Sequence, residues 1–225
     1  MRHKVGAITI GQSPRLDVVP EMRLFINESI EILQKGALDG LTLEEIQKFK
    51  PKENDYVLVS KLNNGSSVKF GESHIIPLLQ KCIDDLIEQG VELIFFLCTG
   101  KFPDTLISKV PILYPNDILH AIVPVISPNR KIGVINPEVD QIQQCHEKWS
   151  SSGCTVQAVA GSPYRDISEV RTAAEKLVEV DVDVIVMDCI GYNLEMKDIV
   201  MSVTNKPVVL SRSILARVVD EMFSS

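Results

Sequence analysis

Short runs of apolar, mostly β-branched residues recur along the chain, and each shows almost no alternation of apolar and polar positions. Strands that are buried on both faces of a parallel sheet have this pattern. Seven such runs predict strands at Val5–Ile10, Val91–Leu97, Pro111–Leu113, Lys131–Ile135, Val156–Ala160, Asp183–Met187 and Pro207–Leu210. Because helical patterns lie between these runs, the sequence predicts an α/β fold with parallel strands.

Two of the helical patterns are clear. In the first, apolar residues between Ile75 and Leu86 recur at spacings of three and four, and Gly90 follows the predicted end. The second begins after Asp166-Ile167-Ser168-Glu169, which is a capping signal. Its predicted apolar face consists of Val170, Ala173, Ala174, Leu177 and Val178.

Three blocks of sequence occur twice, in the same order. Lys4–Ile8 matches Lys131–Ile135, Val91–Gly100 matches Val182–Gly191, and Pro111–Leu119 matches Pro207–Leu215. Chance matches between buried strands can explain the first and third pairs, but the second pair also repeats a cysteine and a glycine after the strand. The sequence therefore predicts two similar parallel-sheet lobes that are related by pseudo-two-fold symmetry.

The repeat also predicts the domain boundaries. The predicted parts are a first lobe at 1–114, a second lobe at 115–210 and a C-terminal helix at 211–225 that packs on the first lobe. The first lobe contains an insertion at about 36–70, with a capping box at Thr42-Leu43-Glu44-Glu45. Two strands are predicted around the turn signal Asn63-Asn64-Gly65.

Composition excludes several classes of function. The chain has 30 acidic and 23 basic side chains, a net charge of −7 and no basic run, which argues against a nucleic-acid partner. No apolar stretch reaches 18 residues, so no membrane span is expected. The basic start Met1–Lys4 and the following apolar run resemble a signal peptide, but the run is too short and Gln12–Arg15 interrupts it. We expect a first strand here and a cytoplasmic protein.

Five cysteines, an odd number at irregular spacing, argue against a disulfide scaffold. No Cys-x-x-Cys pair occurs, so no metal site is expected. Cys82 is predicted to pack on the apolar face of a helix, and Cys145 and Cys154 are expected to be incidental, with Trp149 an ordinary residue of the same helix as Cys145.

Cys98 and Cys189 are the candidate catalytic residues because each directly follows a strand and precedes a glycine by two positions. Ligands of open α/β sheets bind beyond the carboxyl ends of the strands. If the lobes are related by a two-fold axis, the two thiols are expected to face one cleft. One thiolate can then take a proton from a carbon acid while the other thiol returns one, without metal or cofactor. The alternative is that both are buried structural cysteines.

The loops after the strands supply the candidate substrate-binding residues. Their free amides, hydroxyls and one guanidinium suit a carboxylate. The candidates are Gly11, Gln12, Ser13, Arg15, Thr99, Gly100, Ile190, Gly191, Tyr192 and Ser211. Alternative roles are a turn with a surface arginine for Arg15, an N-cap for Ser211 and a loop cap for Tyr192. Asp188 disfavours a thiolate at Cys189 if it lies close, so it is expected either to be turned away or to serve as an orienting group. On the same ground Cys98 is the predicted resting base.

At these residues the chain resembles the AroM family over essentially its whole length. The stretches that carry the resemblance are Ala7-Ile8-Thr9-Ile10-Gly11 with Pro14, the strand into Cys98-Thr99, Asp183–Gly191, and Pro207–Ser211 with Leu215-Ala216-Arg217. More distantly, the two halves are similar to the aspartate/glutamate racemase superfamily, which includes hydantoin racemases, maleate isomerases and arylmalonate decarboxylases. This resemblance implies a cofactor-independent enzyme that uses one or two strand-end cysteines and closes two α/β lobes over a small carboxylate.

The resemblance places Cys98 and Cys189 at the two thiols, and Thr99, Gly11, Gln12 and Ser13 at the substrate carboxylate. Where the racemases usually have Cys-Asn-Thr and Gly-Cys-Thr, this chain has Cys98-Thr99-Gly100 and Asp188-Cys189-Ile190, which leaves open whether the substrate is an amino acid or a dicarboxylate. A homodimer is also compatible with the sequence. The leading hypothesis is a racemase or isomerase; the alternatives are a single-cysteine isomerase or decarboxylase and a non-catalytic binder of a small acid.

Overall fold

The structure is a computed structural model that describes residues 2–52 and 55–224. The strands are β1 His3–Thr9, β2 Ile30–Gly36, β3 Val57–Lys61, β4 Ser67–Gly71, β5 Leu93–Phe96, β6 Ile112–Leu113, β7 Lys131–Asn136, β8 Thr155–Ala160, β9 Val184–Met187 and β10 Val208–Leu210. The helices are α1 Val19–Met22, α2 Leu43–Ile46, α3 Glu72–Glu88, α4 Pro115–Ile126, α5 Ile142–Ser150, α6 Ser168–Glu175, α7 Leu194–Thr204 and α8 Ser211–Glu221. Single turns of 3₁₀ helix lie at Arg23–Phe25, Gln47–Phe49 and Val139–Gln141.

The chain divides into two compact units, each with its own parallel sheet. The first unit holds the residues up to Pro115 together with those from Ala216 onward, and the second is Asn116–Leu215. The first sheet has the order β2-β1-β5-β6 and the second has the order β8-β7-β9-β10, with every pairing parallel. The two orders are equivalent, so the predicted α/β class and its internal repeat are confirmed.

One glycine in the central strand of each sheet explains part of the repeated sequence. A β-carbon on Gly6 would lie 2.8 Å from the side chain of Leu86 on α3. A β-carbon on Gly133 would lie 3.2 Å from the side chains of Leu177 and Ile185. In both sheets the missing side chain makes room for a leucine packed over the central strand, because closer packing of a covering segment is possible where no β-carbon intervenes.

The helix predicted between Ile75 and Leu86 is α3, and its apolar residues enter the first core. The second predicted helix is α6, which is shorter than expected. Val178 lies beyond its end and is 37% exposed, so its placement on the buried face was wrong. Only part of the predicted capping signal at residues 166–169 makes the expected hydrogen bonds. Asp166 accepts the Ser168 amide at 2.8 Å, but Glu169 binds Arg165 rather than the start of the helix.

Strand β2 was missed because its sequence does not look like a buried strand. Its central residues Glu31, Gln34 and Lys35 are polar, and only its two end residues are fully buried. It pairs with β1 over its whole length, from His3 opposite Ile30 to Thr9 opposite Gly36. An edge strand with one partly solvated face does not need a continuous apolar run.

The insertion forms a short capped helix and a β-hairpin. Thr42 and Glu45 make the predicted capping box at the start of α2. Strands β3 and β4 pair antiparallel around the predicted turn. Leu58, Leu62 and Phe70 from this hairpin belong to the first core, together with Cys98. Residues 53 and 54, which the predicted insertion includes, lie outside the described residues.

The last part of the chain contacts the beginning of the first unit. The Asp220 carboxylate accepts the Asn27 amide at 2.7 Å, and the Arg217 guanidinium lies over the Phe25 ring, 4.6 Å from its centroid. Ser211–Leu215, the first part of α8, belongs to the second unit.

Across residues 2–52 and 55–224, no helix is long and apolar enough to cross a membrane.

Gly90 follows α3 with a left-handed φ of +78° and has open space where a β-carbon would point. Gly90→Ala should therefore lower the free energy of unfolding by about 1 kcal/mol through backbone strain alone. Gly90→Asn should cost less, since asparagine tolerates this region, as Asn205 does after α7 with φ +52°. Urea denaturation of the three proteins tests this order, and equal losses for Ala and Asn would contradict it.

Glu72 begins α3 half-buried, and burial together with the charge of Asp55 raises the pKa of its carboxyl to about 7. Because the pKa in the folded state lies above the ordinary value of 4.5, this group should reduce stability as the pH rises from 4.5 through 7. Glu72→Gln should be more stable than wild type at pH 8 and similar to it at pH 4. Glu45→Gln is the control, since hydrogen bonds from Thr42 lower the Glu45 pKa and its substitution should not stabilise at pH 8. Urea denaturation at both pH values measures the difference, and a stability gain independent of pH would exclude Glu72 ionisation as its cause.

Candidate active site

Cys98 lies two residues after the end of β5, and backbone hydrogen bonds fix its position. The Leu97 amide donates to the Ile8 carbonyl on the central strand at 2.7 Å, so the pairing of β5 with β1 continues to the residue before the thiol. The Gly100 amide donates to Cys98 Sγ at 3.3 Å. Cys98 is 9% exposed.

Cys189 has the same backbone setting in the second unit, two residues after β9. The Asp188 amide donates to the Ile135 carbonyl on the central strand at 3.0 Å, and the Gly191 amide donates to Cys189 Sγ at 3.4 Å. Cys189 is 7% exposed. In each unit the loop therefore aims a backbone N–H at the sulfur, and such a donor favours negative charge on it.

The surroundings of the second thiol contain a phenol. Tyr164 Oη lies 3.5 Å from Cys189 Sγ, and either atom can be the donor. The Tyr164 ring also packs on Gly191, where a β-carbon would lie 2.7 Å from three of its atoms. Gly191 thus allows the phenol to approach the thiol. Tyr164 was not predicted, since nothing in its sequence neighbourhood forms a recognisable pattern.

Asp188 is bound on the side of helix α5. Both of its carboxylate oxygens accept from Lys148 Nζ at 2.8 Å, and Oδ2 also accepts from Trp149 Nε1 at 3.0 Å. The side chains of Lys148 and Asp188 are 5% and 1% exposed. The buried cation compensates the charge of Asp188, which removes the reason for choosing Cys98 over Cys189 as the resting base. Trp149 lies on the same helix as Cys145, as predicted, but its hydrogen bond to Asp188 and the role of Lys148 were missed.

Two residues at the start of α8 hold the Cys189 loop by its carbonyl groups. The Ser211 hydroxyl lies within hydrogen-bond distance of the carbonyls of Met187, at 3.0 Å, and Cys189, at 2.9 Å. Arg212 is 1% exposed and donates to the carbonyls of Ile190 and Gly191. Ser211, predicted as a substrate-binding or N-cap residue, therefore positions the thiol loop, and Arg212 is a positioning residue that the sequence analysis missed.

Tyr192 is fully buried, and its hydroxyl donates to the Gly161 carbonyl at 2.7 Å. Burial raises the pKa of this phenol well above its ordinary value. Of its two predicted roles, the contacts support the loop cap rather than a ligand contact. Ile190 lies beside it and is 2% exposed.

Arg15 lies on the loop after β1, but the residue is only 2% exposed and its guanidinium is engaged within the protein. Nε and Nη2 donate to the two carboxylate oxygens of Asp17 at 2.8 and 2.9 Å, and Nη1 donates to Thr9 Oγ1 at 3.2 Å. Burial alone would raise the pKa of Asp17, but the hydrogen bonds and charge of Arg15 lower it overall. The expectation of a surface arginine was wrong. If Arg15 bound a substrate carboxylate, the Asp17 carboxylate would compete for the same donors.

Ser13 and Gln12 are also engaged with the insertion. The Ser13 amide and hydroxyl donate to the Asp39 carboxylate at 2.7 and 2.6 Å, and the Gly36 amide donates to the same carboxylate at 2.8 Å. Gln12 accepts the Asn63 amide at 3.1 Å. The carboxylate of Asp39 thus occupies donors that the sequence analysis assigned to a substrate anion.

The remaining candidates of the first unit border the hairpin. Thr99 is 7% exposed and directly follows the thiol. A β-carbon on Gly100 would lie 2.8 Å from Leu58 and 3.3 Å from Cys98 Sγ, and one on Gly11 would lie 2.3 Å from Ser60 Oγ. Both glycines therefore let a strand-end loop approach β3 closely.

The other three cysteines are not part of the two thiol loops. Cys82 packs on α3 as predicted, and burial raises its pKa to about 11. Burial and the charge of Asp188 raise the pKa of Cys145 on α5 to about 12. In the described part of the chain, no three His, Cys, Asp or Glu side chains are placed to hold a metal ion.

Comparisons with known proteins agree with this architecture. A family model described as AroM protein matches residues 5–223. No curated protein sequence matches the chain.

Three solved structures illustrate the shared fold. Allantoin racemase from Klebsiella pneumoniae superposes with a TM-score of 0.66 at 13% identity, over 98% of this chain and 87% of the other. Maleate isomerase Iso from Pseudomonas putida S16 superposes with a TM-score of 0.63 at 14% identity, over 94% of this chain and 89% of the other. Glutamate racemase from Aquifex pyrophilus superposes with a TM-score of 0.61 at 18% identity, over 98% of this chain and 84% of the other. At these identities the similarity establishes the fold.

The buried pair beside Cys189 generates a stability prediction. Lys148→Met should lower the free energy of unfolding by about 3 kcal/mol, because it leaves the Asp188 carboxylate buried without its cation. The control is Lys131→Met, which breaks an ion pair with Asp181 whose side chains are 43% and 84% exposed and which should change stability much less. Denaturant unfolding compares the two variants. Equal losses of unfolding free energy in the two variants would mean that burial of the Lys148–Asp188 pair does not increase its contribution to stability.

Proposed function

The chain belongs to the AroM family, and from that premise together with its two strand-end thiols we propose that it is a cofactor-independent racemase or isomerase of a small carboxylate. Cys98 and Cys189 are the proposed acid–base groups. The observation that carries the proposal is the repeated thiol setting: each sulfur follows a strand by two residues and accepts the amide two positions later. A buried structural cysteine needs no such donor.

The proposed step is a proton transfer at a carbon next to the carboxylate. One cysteine thiolate takes the proton from carbon, and the electron pair of the C–H bond stays on the substrate, delocalised towards the carboxylate. The thiol of the other cysteine gives its proton to the opposite face of that carbon. The products are the inverted substrate, one thiol and one thiolate, so no oxidant or other reactant is consumed.

The proposed ligand is an amino acid or a dicarboxylate. Backbone amides at the ends of parallel strands attract anions, and Thr99 with Gly100 provides such a segment next to Cys98. The names of the superposed glutamate racemase and maleate isomerase refer to small carboxylates. Because the Ser13 and Arg15 donors already bind the protein's own Asp39 and Asp17, a substrate carboxylate would have to compete with these carboxylates for them.

A thiol mechanism also requires reduced cysteines, and no disulfide joins any of the five. Because reducing compartments maintain thiols, we propose a cytoplasmic location.

A single-cysteine isomerase or decarboxylase is the second candidate. The Tyr164 hydroxyl 3.5 Å from Cys189 Sγ favours it, because a phenol can exchange a proton with a thiolate and so substitute for the second thiol. Cys189 would then act without Cys98.

Solvent deuterium exchange tests the proposal. Wild type incubated in deuterium oxide with D- or L-aspartate, D- or L-glutamate, or methylsuccinate should incorporate deuterium at the carbon next to a carboxylate, measured by NMR. Cys98→Ala and Cys189→Ala should each reduce racemisation at least 100-fold, since loss of an acid–base group typically costs 10²–10⁴-fold. Cys154→Ala, at a half-buried cysteine outside both thiol loops, is the matched control and should leave the rate unchanged.

The outcomes separate the candidates. Loss of activity in both thiol variants supports the two-cysteine reaction. Loss only in Cys189→Ala supports the single-cysteine alternative. Binding of one of these acids without exchange, unaffected by either substitution, would leave a non-catalytic binder. Absence of both binding and exchange would contradict the proposed substrate class.

A further inference from the structure

Ser60 on β3 carries a buried hydroxyl that the fold does not satisfy. The residue is 1% exposed, and among the described residues its Oγ has no hydrogen-bond partner. Burying a hydroxyl without a partner costs stability, so native proteins rarely do so without a reason such as a ligand or an ordered water. Its neighbours on β3, Val59 and Lys61, lie opposite Lys69 and Ser67 of β4 in the antiparallel pair.

The hydroxyl lies against the loop after the central strand. A β-carbon built on Gly11 would lie 2.3 Å from Ser60 Oγ and 3.0 Å from the Lys61 carbonyl oxygen. Any side chain at position 11 would thus collide with the hydroxyl. Glycine at this position therefore lets the backbone of the loop pack directly against the orphaned hydroxyl.

The same strand also reaches the first thiol. Leu58 Cδ2 and Cys98 Sγ lie 2.8 and 3.3 Å from the point where a β-carbon of Gly100 would be. Leu58 and Ser60 are two residues apart on β3, so their side chains point to the same face at a spacing of about 7 Å. One face of β3 therefore presents an apolar contact at Cys98 and a hydroxyl at Gly11, a span comparable to the length of a small dicarboxylate.

We propose that Ser60 is a substrate-binding residue whose hydroxyl donates to a carboxylate oxygen of the small acid handled at Cys98. This inference rests on the proposed function and adds a contact from the inserted hairpin, which the loops after the strands do not supply. The donor suits a carboxylate better than a cation, because a serine hydroxyl bound to an anion forms a short, charge-assisted hydrogen bond. The Ser13 hydroxyl cannot take this role while Asp39 holds it.

The test uses the whole protein and three probes: malonate, maleate and L-aspartate. The dissociation constant of the tightest-binding probe is measured by calorimetry for wild type, Ser60→Ala and Ser67→Ala. Ser67 is exposed on the partner strand of the same hairpin and is the matched control. Ser60→Ala should weaken binding about tenfold, the effect of losing one hydrogen bond to a charged group. Ser67→Ala should leave binding unchanged.

A second readout separates a ligand contact from a structural hydroxyl. Without probe, Ser60→Ala should melt at the wild-type temperature or above it, because the variant loses an unsatisfied polar group rather than a hydrogen bond. If Ser60→Ala fails to fold, Ser60→Cys replaces it, since cysteine has a similar size and is a poor donor.

Unchanged probe affinity in Ser60→Ala overturns the inference and leaves the proposed function intact. A lower melting temperature of the probe-free variant, with an ordered water bridging Ser60 to protein groups in a crystal of the wild type, also overturns it. If the wild type binds none of the three probes, the proposed function fails together with the inference. Weaker binding with an undiminished melting temperature supports Ser60 as a ligand contact.

Discussion

The pairing of β5 and β9 with the central strand of each sheet determines where the thiols of Cys98 and Cys189 lie. In the first sheet Val5 lies opposite Leu93 and Ile8 opposite Phe96, and in the second Ile132 lies opposite Val184. The amide before each cysteine continues this ladder by one more bond. A shift of one residue would turn every side chain of a strand to the other face, so the register fixes the direction in which each strand enters its thiol loop.

The two thiols share a backbone arrangement but differ in what surrounds them. Cys98 lies against the apolar hairpin, with Leu58 close to its sulfur. Cys189 also belongs to an apolar core, but Tyr164 lies beside its sulfur and Arg212 holds the loop carbonyls. The preceding residue differs as well, since Leu97 is apolar and Asp188 carries a charge that Lys148 compensates. The phenol of Tyr164 lies beside the second sulfur, whereas the first packs with the side chains of the hairpin, so the two thiols are not chemically interchangeable.

The fold could be predicted because it depends on local patterns. Buried parallel strands are almost uniformly apolar, and the repeated cysteine and glycine mark equivalent strand ends in both halves. Strand β2 was not predicted because the polar residues Glu31, Gln34 and Lys35 interrupt the apolar run that marks a buried strand.

Much less of the site could be predicted, because its polar partners come from distant parts of the chain. Lys148 meets Asp188 across 40 positions, and Asp39 meets Ser13 across 26. No short motif records such a pair, since each depends on how a helix or an insertion packs against a sheet. The roles of the loop residues also depend on this packing: a buried guanidinium such as that of Arg15 has the same sequence pattern as an exposed one.

The position of the hairpin β3–β4 outside the parallel sheet has a consequence for how the protein could evolve. It is an antiparallel pair outside the parallel ladder of the first sheet, so its length and its face towards Cys98 can change without altering the strand pairing that positions the thiol. An ancestral duplication of the half-molecule would give two thiols with the same backbone environment. The later insertion of a hairpin into one copy would then let selection change the surroundings of one thiol while the register of the sheet is preserved.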